Sequence, residues 1–168
     1  MKLFKNYTHI KHHHALEQLD ICSPTHGSVL PLSQVNDPVF AEEMMGPGIA
    51  VVPTVGQIVA PFDGTVVSVF RTLHAVTLKA DNEAEVLIHV GLNTVTLDGR
   101  FFKSHTSDGA KVKKGDLLLT FDMEEIQKMG FEIVTPMIVI NAERYELTKK
   151  EDESFVDEGD VLITLENK

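Results

Sequence analysis

The feature that most constrains the fold is a turn-and-strand unit that occurs twice in the C-terminal half. Residues 112–121 read VKKGDLLLTF and residues 156–165 read VDEGDVLITL, so a Gly-Asp turn precedes an apolar run in each. A second repeat relates residues 23–29 to residues 60–66. Glycine permits tight turns, and a short apolar run after one is typical of a buried strand. These duplicated units predict a sandwich with approximate internal symmetry.

The rest of the chain from residue 22 onward shows the same pattern, with short apolar runs broken by Gly, Pro, Asp and Asn. This pattern is typical of an all-β sandwich or barrel. Only two short helices are predicted. Asp122 opens one with capping-box spacing and Gly130 ends it, while Asp37 opens another that stops at Gly46. We therefore predict an all-β, mostly antiparallel sandwich with one or two short helices.

Length and composition indicate one domain, or one domain with a tail, because 168 residues with 43% hydrophobic content support a single full core. Residues 1–20 are polar and include His9 and His12–His14. We expect them to form a tail or a short surface helix, with a metal-binding tract as the minor alternative. Residues 21–168 are expected to form the domain. The initial Met1 and the tail favour a separate protein over an excised permease domain.

The apolar runs, the cysteine count and the net charge argue against a membrane-spanning, secreted or nucleic-acid-binding protein. No stretch approaches 18 apolar residues, and the N-terminus lacks the apolar region of a secretory signal. The single cysteine, Cys22, cannot form an intramolecular disulfide, which fits a reducing cytosol. A net charge of −10 argues against nucleic acid as a partner and would attract a basic partner protein. We therefore expect a cytoplasmic protein.

Two histidines, His74 and His89, lie in runs that read as β-strands on either side of a turn at residues 81–82. In an antiparallel hairpin closed by those two residues, His74 faces His89 directly, with Cβ atoms roughly 5 Å apart. Two imidazoles aimed at one point suit a phosphate or a metal ion. Thr72 lies on the same face as His74, because side chains alternate along a strand. Its hydroxyl can hold one ring nitrogen and select the tautomer.

The chemistry of such a pair leaves three alternatives. A neutral imidazole, with a free pKa of about 6.5, can attack a phosphoryl donor while the second histidine supports the phosphate oxygens. A zinc site would need further ligands from water or a partner. Both histidines can also be ordinary half-buried strand residues. The sequence has no Walker-type loop, no Gly-x-Ser-x-Gly and no His-Glu-x-x-His.

Residues 87–95, LIHVGLNTV, resemble the signature of the glucose-type enzyme IIA proteins of the bacterial sugar phosphotransferase system. The likeness covers roughly residues 21–168. It implies a β-sandwich with a duplicated hybrid (barrel-sandwich) motif, in agreement with the internal repeats. The further matching motifs are Val39-Phe40-Ala41-Glu42, Gly48-Ile49-Ala50, Ala60-Pro61-Phe62-Asp63-Gly64, Thr72-x-His74-Ala75, Val112-x-x-Gly115-Asp116 and Thr135-Pro136.

The resemblance implies a role for each site residue. His89 would accept a phosphoryl group on Nε2 from the phosphocarrier protein HPr and pass it to a cysteine on a IIB domain of a sugar permease. His74 would assist without being phosphorylated, and Thr72 would hydrogen-bond within the site. No cofactor is required, although some relatives bind zinc through the pair equivalent to His74 and His89 at a partner interface.

The resemblance also implies a docking surface around the site. Asp37 would pair with an arginine of HPr, and Asn93 stands where many relatives have Asp, a rim change that mainly alters association rate. Other departures are Glu83 in place of a common Gly and residues 100–102, RFF, in place of a more acidic run. The positions that match the hydrophobic ring, with burial in the core as the alternative, are Val39, Phe40, Met44 and Met45.

Two alternative functional classes require motifs that this sequence lacks. A zinc peptidase on a related scaffold needs His-x-His, but Leu87 and Gly91 flank His89 at that spacing. A lipoyl or biotin carrier needs a lysine within Met-Lys-Met or Asp-Lys-Ala, and neither tripeptide occurs. A regulator that binds target proteins according to its phosphorylation state is compatible with the relay and remains an alternative.

Overall fold

The structure, a computed structural model, describes residues 18–168, and strands dominate this part of the chain. The strands are β1 (Gln18–Cys22), β2 (Gly27–Leu30), β3 (Gly48–Pro53), β4 (Gln57–Val59), β5 (Gly64–Val69), β6 (Ala75–Ala80), β7 (Glu85–His89), β8 (Phe102–Ser104), β9 (Lys111–Val112), β10 (Leu117–Phe121), β11 (Thr135–Val139), β12 (Tyr145–Lys149), β13 (Phe155–Val156) and β14 (Val161–Asn167). The helices are α1 (Pro38–Ala41) and α2 (Met123–Lys128), with 3-10 turns at Leu32–Gln34, Thr94–Leu97 and Ala142–Arg144. The predicted tail, residues 1–20, lies outside the described residues except for residues 18–20, which belong to β1.

The strands form one large sheet and two small ones. The large sheet has the order β13-β2-β3-β11-β7-β6-β5-β9, and the small sheets have the orders β1-β14-β12 and β4-β10-β8. All pairings are antiparallel. The main core contains Ile88 and Met137 of the large sheet together with Leu119 and Ile163 of the small sheets. The predicted antiparallel sandwich is therefore confirmed.

The sequence repeats pack against one another in equivalent ways. Ser23 N donates to the Asp160 carbonyl at 2.7 Å, and Ala60 N donates to the Asp116 carbonyl at 2.8 Å. The two Gly-Asp turns form the reciprocal hydrogen bonds. Gly159 N donates to the Ser23 carbonyl at 3.0 Å, and Gly115 N donates to the Ala60 carbonyl at 2.9 Å. Likewise β2 pairs with β13 as β5 pairs with β9. The predicted internal duplication is therefore present.

The two halves differ in the connections that leave the large sheet. Residues 31–47 join β2 to β3 and contain α1, whereas residues 70–74 join β5 to β6 directly. The long connection covers the outer face of the large sheet, where it buries Phe40 in a second core cluster with Leu87 and Ile138. The short connection carries Thr72 and His74. The candidate site thus lies where the duplication is broken.

Both predicted helices are present, but α1 ends earlier than predicted. The Asp122 side chain accepts a hydrogen bond from Glu125 N at 3.1 Å, and Gly130 has φ 90°, so α2 follows the prediction. The first helix ends at Ala41 and does not reach Gly46. Glu43 adopts φ 53°, a left-handed conformation that terminates helices. None of the helices within residues 18–168 is long and apolar enough to cross a membrane.

Candidate active site

The hairpin of β6 and β7 brings the two histidines to the same end, but not in the predicted register. His89 pairs with Ala75 and not with His74, whose carbonyl accepts a hydrogen bond from Val90 N at 2.7 Å. The turn contains three residues, 81–83, because Glu83 adopts the left-handed conformation with φ 73°. A three-residue turn with a left-handed third residue shifts the pairing by one position. The predicted two-residue turn was therefore wrong.

The two imidazole rings nevertheless lie side by side. Their centroids are 4.7 Å apart and their planes are almost perpendicular, at 84°. His89 projects from the outer face, on the same side of β7 as Leu87. His74 precedes β6, and Leu73 before it has φ 60°, so the backbone is irregular there and strand alternation does not dictate the direction of the His74 side chain. The irregular short connection thus compensates for the one-residue change in register.

The main chain fixes the tautomer of His89. Its Nδ1 lies 2.9 Å from the Gly91 carbonyl oxygen, which can only accept, so we assign the proton to Nδ1. In the neutral ring, Nε2 then carries the free lone pair. Gly91 has φ 77°, and a Cβ there would lie 2.5 Å from Thr94 Cγ2 and 2.8 Å from the Glu132 carbonyl. Only glycine therefore fits where the chain must present this carbonyl.

His74 is held in the predicted way by Thr72. The Thr72 hydroxyl oxygen lies 2.8 Å from His74 Nδ1. If the hydroxyl donates to Nδ1, the neutral ring carries its proton on Nε2. The His74 residue is only 2% exposed. With the hydroxyl as donor, the pair has complementary nitrogens: a lone pair on His89 Nε2 and an N–H on His74 Nε2.

Burial keeps both rings neutral near pH 7. It lowers the pKa of His74 to about 4, with a further lowering from the neighbouring His89 ring. Burial also lowers the pKa of His89, although the Gly91 carbonyl and the Asp37 carboxylate act in the opposite direction. A neutral imidazole is the form that can act as a nucleophile.

Two aromatic rings form the apolar walls of the site. The Phe40 ring centroid lies 5.0 Å from that of His89, and Phe70 meets His74 edge-on at 5.6 Å. Phe70 is 37% exposed and was missed from the sequence. Its position two residues before Thr72, directly after an apolar strand, was the available signal. These walls exclude water from the rings and so explain the lowered pKa values.

The residues expected to bind partners divide into an exposed and a buried group. Val39, Met44 and Met45 are exposed on and after α1. Phe40 is only 4% exposed, so its expected place in the docking surface needs correction. Its side chain points inward from α1 against His89 and the second core cluster, because this short helix can bury only one side. Exposed Val95 extends the apolar surface and was also missed.

The two polar docking candidates have structural roles. The Asp37 carboxylate caps α1 by accepting from Val39 N at 3.0 Å, and it lies close enough to His89 to raise that ring's pKa. Asn93 is exposed and has φ 59°, a left-handed conformation that asparagine adopts more readily than most residues. Asp37 therefore lies at the rim of the site, beside His89.

The site offers few ligands for a metal ion. Among residues 18–168 there is no group of three or more His, Cys, Asp or Glu side chains placed to hold a metal ion. The histidine pair supplies two nitrogen ligands, whereas zinc in proteins takes four ligands. The chain therefore fits zinc only if water or another protein completes the set.

Comparison with known proteins identifies the family. The family model described as phosphoenolpyruvate-dependent sugar phosphotransferase system, EIIA 1, matches residues 19–145. The chain is 44% identical over 141 residues to the glucose-specific EIIA component of Oceanobacillus iheyensis, covering 84% of this chain and 85% of that protein. It is also 44% identical over 149 residues to the beta-glucoside-specific EIIBCA component of Halalkalibacterium halodurans, covering 89% of this chain but only 23% of that longer protein.

A solved structure agrees with the sequence comparisons. The glucose permease IIA from Mycoplasma capricolum superposes with a TM-score of 0.82 at 35% identity, covering 88% of this chain and 96% of that one. The architecture and the sequence thus lead to the same group of proteins. The chain belongs to the EIIA 1 family of the phosphoenolpyruvate-dependent sugar phosphotransferase system, the glucose-type EIIA components that act as phosphoryl relays.

Proposed function

We propose that His89 Nε2 is the phosphoryl acceptor of this chain, receiving the group from an HPr-type phosphocarrier and passing it to a cysteine of a IIB domain. The observation that carries the proposal is the 2.9 Å hydrogen bond from His89 Nδ1 to the Gly91 carbonyl. This bond leaves the Nε2 lone pair free. Because the relay operates between a carrier protein and the inner side of a permease, the proposal includes a cytoplasmic location.

The same hydrogen bond serves both directions of transfer. In the first step the Nε2 lone pair attacks phosphorus, and the donor's P–N bond breaks with its electrons remaining on the donor. The ring of His89 keeps its Nδ1 proton, and the Gly91 carbonyl stabilises the positive charge that develops there. In the second step a thiolate attacks phosphorus, and His89 departs as neutral imidazole with its electron pair on Nε2. No separate general acid is needed.

His74 is proposed to support the phosphoryl group without accepting it. Its Nε2–H, available when Thr72 donates to Nδ1, can donate to a phosphoryl oxygen while the group moves. The lowered pKa of about 4 keeps this ring neutral, so it donates one hydrogen bond without forming an ion pair that would trap the group. Transfer requires no cofactor, since side chains provide the nucleophile and the donor.

The docking surface is proposed to consist of Val39, Met44, Met45 and Val95, with Asp37 as the acidic group facing a cation of HPr. The apolar members are exposed around a polar centre, as suits transient binding. Methionine side chains adapt to partners of different shape. Zinc, if bound by the histidine pair with ligands from a partner, would compete with phosphorylation by occupying the same nitrogens.

The acceptor assignment is tested by incubation with phosphoenolpyruvate, enzyme I and HPr. We expect one acid-labile phosphate per chain, located on His89 by mass spectrometry, and none on His89→Gln. A matched control is His105→Gln, since this exposed histidine bonds Thr120 in the small sheet. Phosphorylation of His89→Gln to the wild-type extent would contradict the assignment.

The supporting role is tested separately with His74→Gln. We expect this variant to accept phosphate on His89 but to lose about 100-fold or more in the rate of transfer to the IIB cysteine, because one electrostatic donor is removed. The two steps are followed by quenched-flow measurements with labelled phosphate. Sugar phosphorylation at the wild-type rate by this variant would refute the role given to His74.

A further inference from the structure

Two arginines, Arg71 and Arg100, lie beside the site. Within the described part of the chain, neither Arg71 nor Arg100 forms an ion pair, although the whole chain carries a net charge of −10. Both are exposed. The Arg100 guanidinium instead lies over the ring of Phe101, 4.7 Å from its centroid. We call Arg71 and Arg100 the basic flank.

The two segments that carry the basic flank touch each other. A Cβ built on Gly99 would lie 3.9 Å from the Thr72 carbonyl and 3.7 Å from Leu73 Cδ1. Arg71 and Arg100 are each one residue from this contact, which places their Cα atoms within about 15 Å of each other. Thr72 also bonds His74, so the basic flank adjoins the supporting histidine.

Asp37 and the basic flank lie on different sides of the histidine pair, and two exposed carboxylates lie near the basic flank: Asp98 is two residues from Arg100, and Asp108 accepts a hydrogen bond from Val69 N, two residues from Arg71. Asp37 lies on the side of His89, close enough to raise the pKa of that ring. The basic flank lies on the side of His74, next to Phe70, whose ring meets His74 edge-on. A protein that covers both sides needs a cation over the first and an acidic group over the second. Such rim charges act mainly on the rate and specificity of association.

We propose that the basic flank docks acidic side chains of the thiol-bearing acceptor, the IIB domain, and so selects the partner for the second transfer; this rests on the proposed function. The second step needs a thiolate, whose formation is favoured near guanidinium groups. The sulfur–phosphorus bond forms as the Nε2–phosphorus bond breaks, and the electron pair returns to His89. The first step, onto a neutral imidazole, has no such requirement.

The test compares two double variants with the same change of net charge. Arg71→Glu/Arg100→Glu reverses the basic flank. The control is Arg144→Glu/Lys168→Glu. These two residues are joined by a backbone hydrogen bond of 3.2 Å and lie near the turn at residues 81–83, at the opposite end of the hairpin from the histidines.

For the reversed flank we expect kcat/KM for transfer to the cognate IIB domain to fall about tenfold at low salt, with the difference shrinking at about 0.5 M NaCl. The control stays within about twofold of wild type. Phosphorylation of the reversed variant by phospho-HPr is not slowed, since added negative charge does not repel a cationic donor. Arg71→Lys/Arg100→Lys retains most of the transfer rate, which shows that charge is the property required.

Each other outcome has a definite meaning. Transfer to the IIB domain at the wild-type rate by the reversed variant overturns the inference and leaves the relay intact. Equal slowing of both transfer steps overturns the assignment to the acceptor. Equal loss in the lysine and glutamate variants overturns the electrostatic role. Wild-type protein that fails to take phosphate on His89 overturns the proposed function itself.

Discussion

At the scale of single residues, the site depends on how a main-chain carbonyl and a hydroxyl orient two rings. Gly91 accepts from His89 Nδ1 and Thr72 contacts His74 Nδ1, so each ring directs its Nε2 to the chemistry. The histidines and Thr72 could be selected from sequence because their residue types imply chemistry. Gly91 acts through its backbone, and its role became visible only when its φ and its neighbours were known.

The burial of His74 has a consequence for stability in acid. Its folded pKa of about 4 lies below the unfolded value of about 6.5, so the unfolded chain binds a proton that the folded chain refuses. The associated stability is complete above pH 6.5 and is lost as the pH falls towards 4. Between pH 7.5 and 5.0 we expect this group to remove about 2 kcal/mol from the free energy of unfolding.

Urea unfolding of wild type and His74→Gln at the two pH values measures this contribution. The variant should lose about 2 kcal/mol less than wild type, because glutamine does not titrate. Protonation of His89 in acid also lowers the free energy of unfolding, since its pKa is lowered as well. Because His89 is present in both proteins, the comparison isolates the contribution of His74. An identical loss in both proteins would show that His74 is not the group responsible.

At the scale of elements, the short helix α1 connects folding to chemistry. Its cap, Asp37, accepts from Val39 N while its charge acts on His89, and its buried Phe40 packs on the same ring. The cap and the proline after it made the start of α1 predictable. Its end was not, because the left-handed conformation of Glu43 has no signature in a residue of that type.

The two roles of Asp37 can be separated by substitution. Asparagine is as good an N-cap as aspartate, so Asp37→Asn should leave the free energy of unfolding almost unchanged, while Asp37→Ala should cost about 1 kcal/mol. Both substitutions should lower the pKa of His89, since the carboxylate that raises it is gone. NMR titration of the ring and urea unfolding give the two quantities. A raised His89 pKa in Asp37→Asn would contradict this account.

The hairpin shows why register was harder to predict than the presence of the strands. The alternation of apolar residues identified β6 and β7, but a single residue in the turn decides which positions pair. Glu83 adopts the left-handed conformation that glycine usually fills, and its carboxylate pairs with Lys79. The rings still converge because the segment before His74 is irregular. Sequence thus indicated the site, while local backbone geometry determined how it is built.

At the scale of the whole molecule, duplication provides the framework and charge distinguishes its two halves. Asp116 Oδ2 accepts from Lys113 N and Asp160 Oδ2 accepts from Asp157 N, both at 2.8 Å. The hydrogen bonds are equivalent, but one turn carries two lysines and the other carries Asp157 and Glu158. The repeat in the sequence made the shared framework predictable.

This difference predicts unequal costs for matched substitutions. Asp116→Ala and Asp160→Ala each lose a turn hydrogen bond worth about 1 kcal/mol. We expect Asp116→Ala to cost more, because it also removes attraction to neighbouring lysines, whereas Asp160→Ala relieves repulsion among carboxylates. Urea unfolding at low salt and in 1 M NaCl checks this, since salt should bring the two values together. A larger cost for Asp160→Ala at low salt would show that charge does not distinguish the turns.

The unequal connections between the repeated halves also bear on how such a protein diverges. Residues 31–47 and 70–74 supply most of the groups that surround the histidines, yet the strands they join are held by the duplicated framework. Mutations in these two segments can therefore retune molecular recognition during evolution while the scaffold continues to fold. The same separation offers a route to engineering, in which exchanging residues 70–74 between paralogues would change the choice of relay partner without redesigning the sandwich.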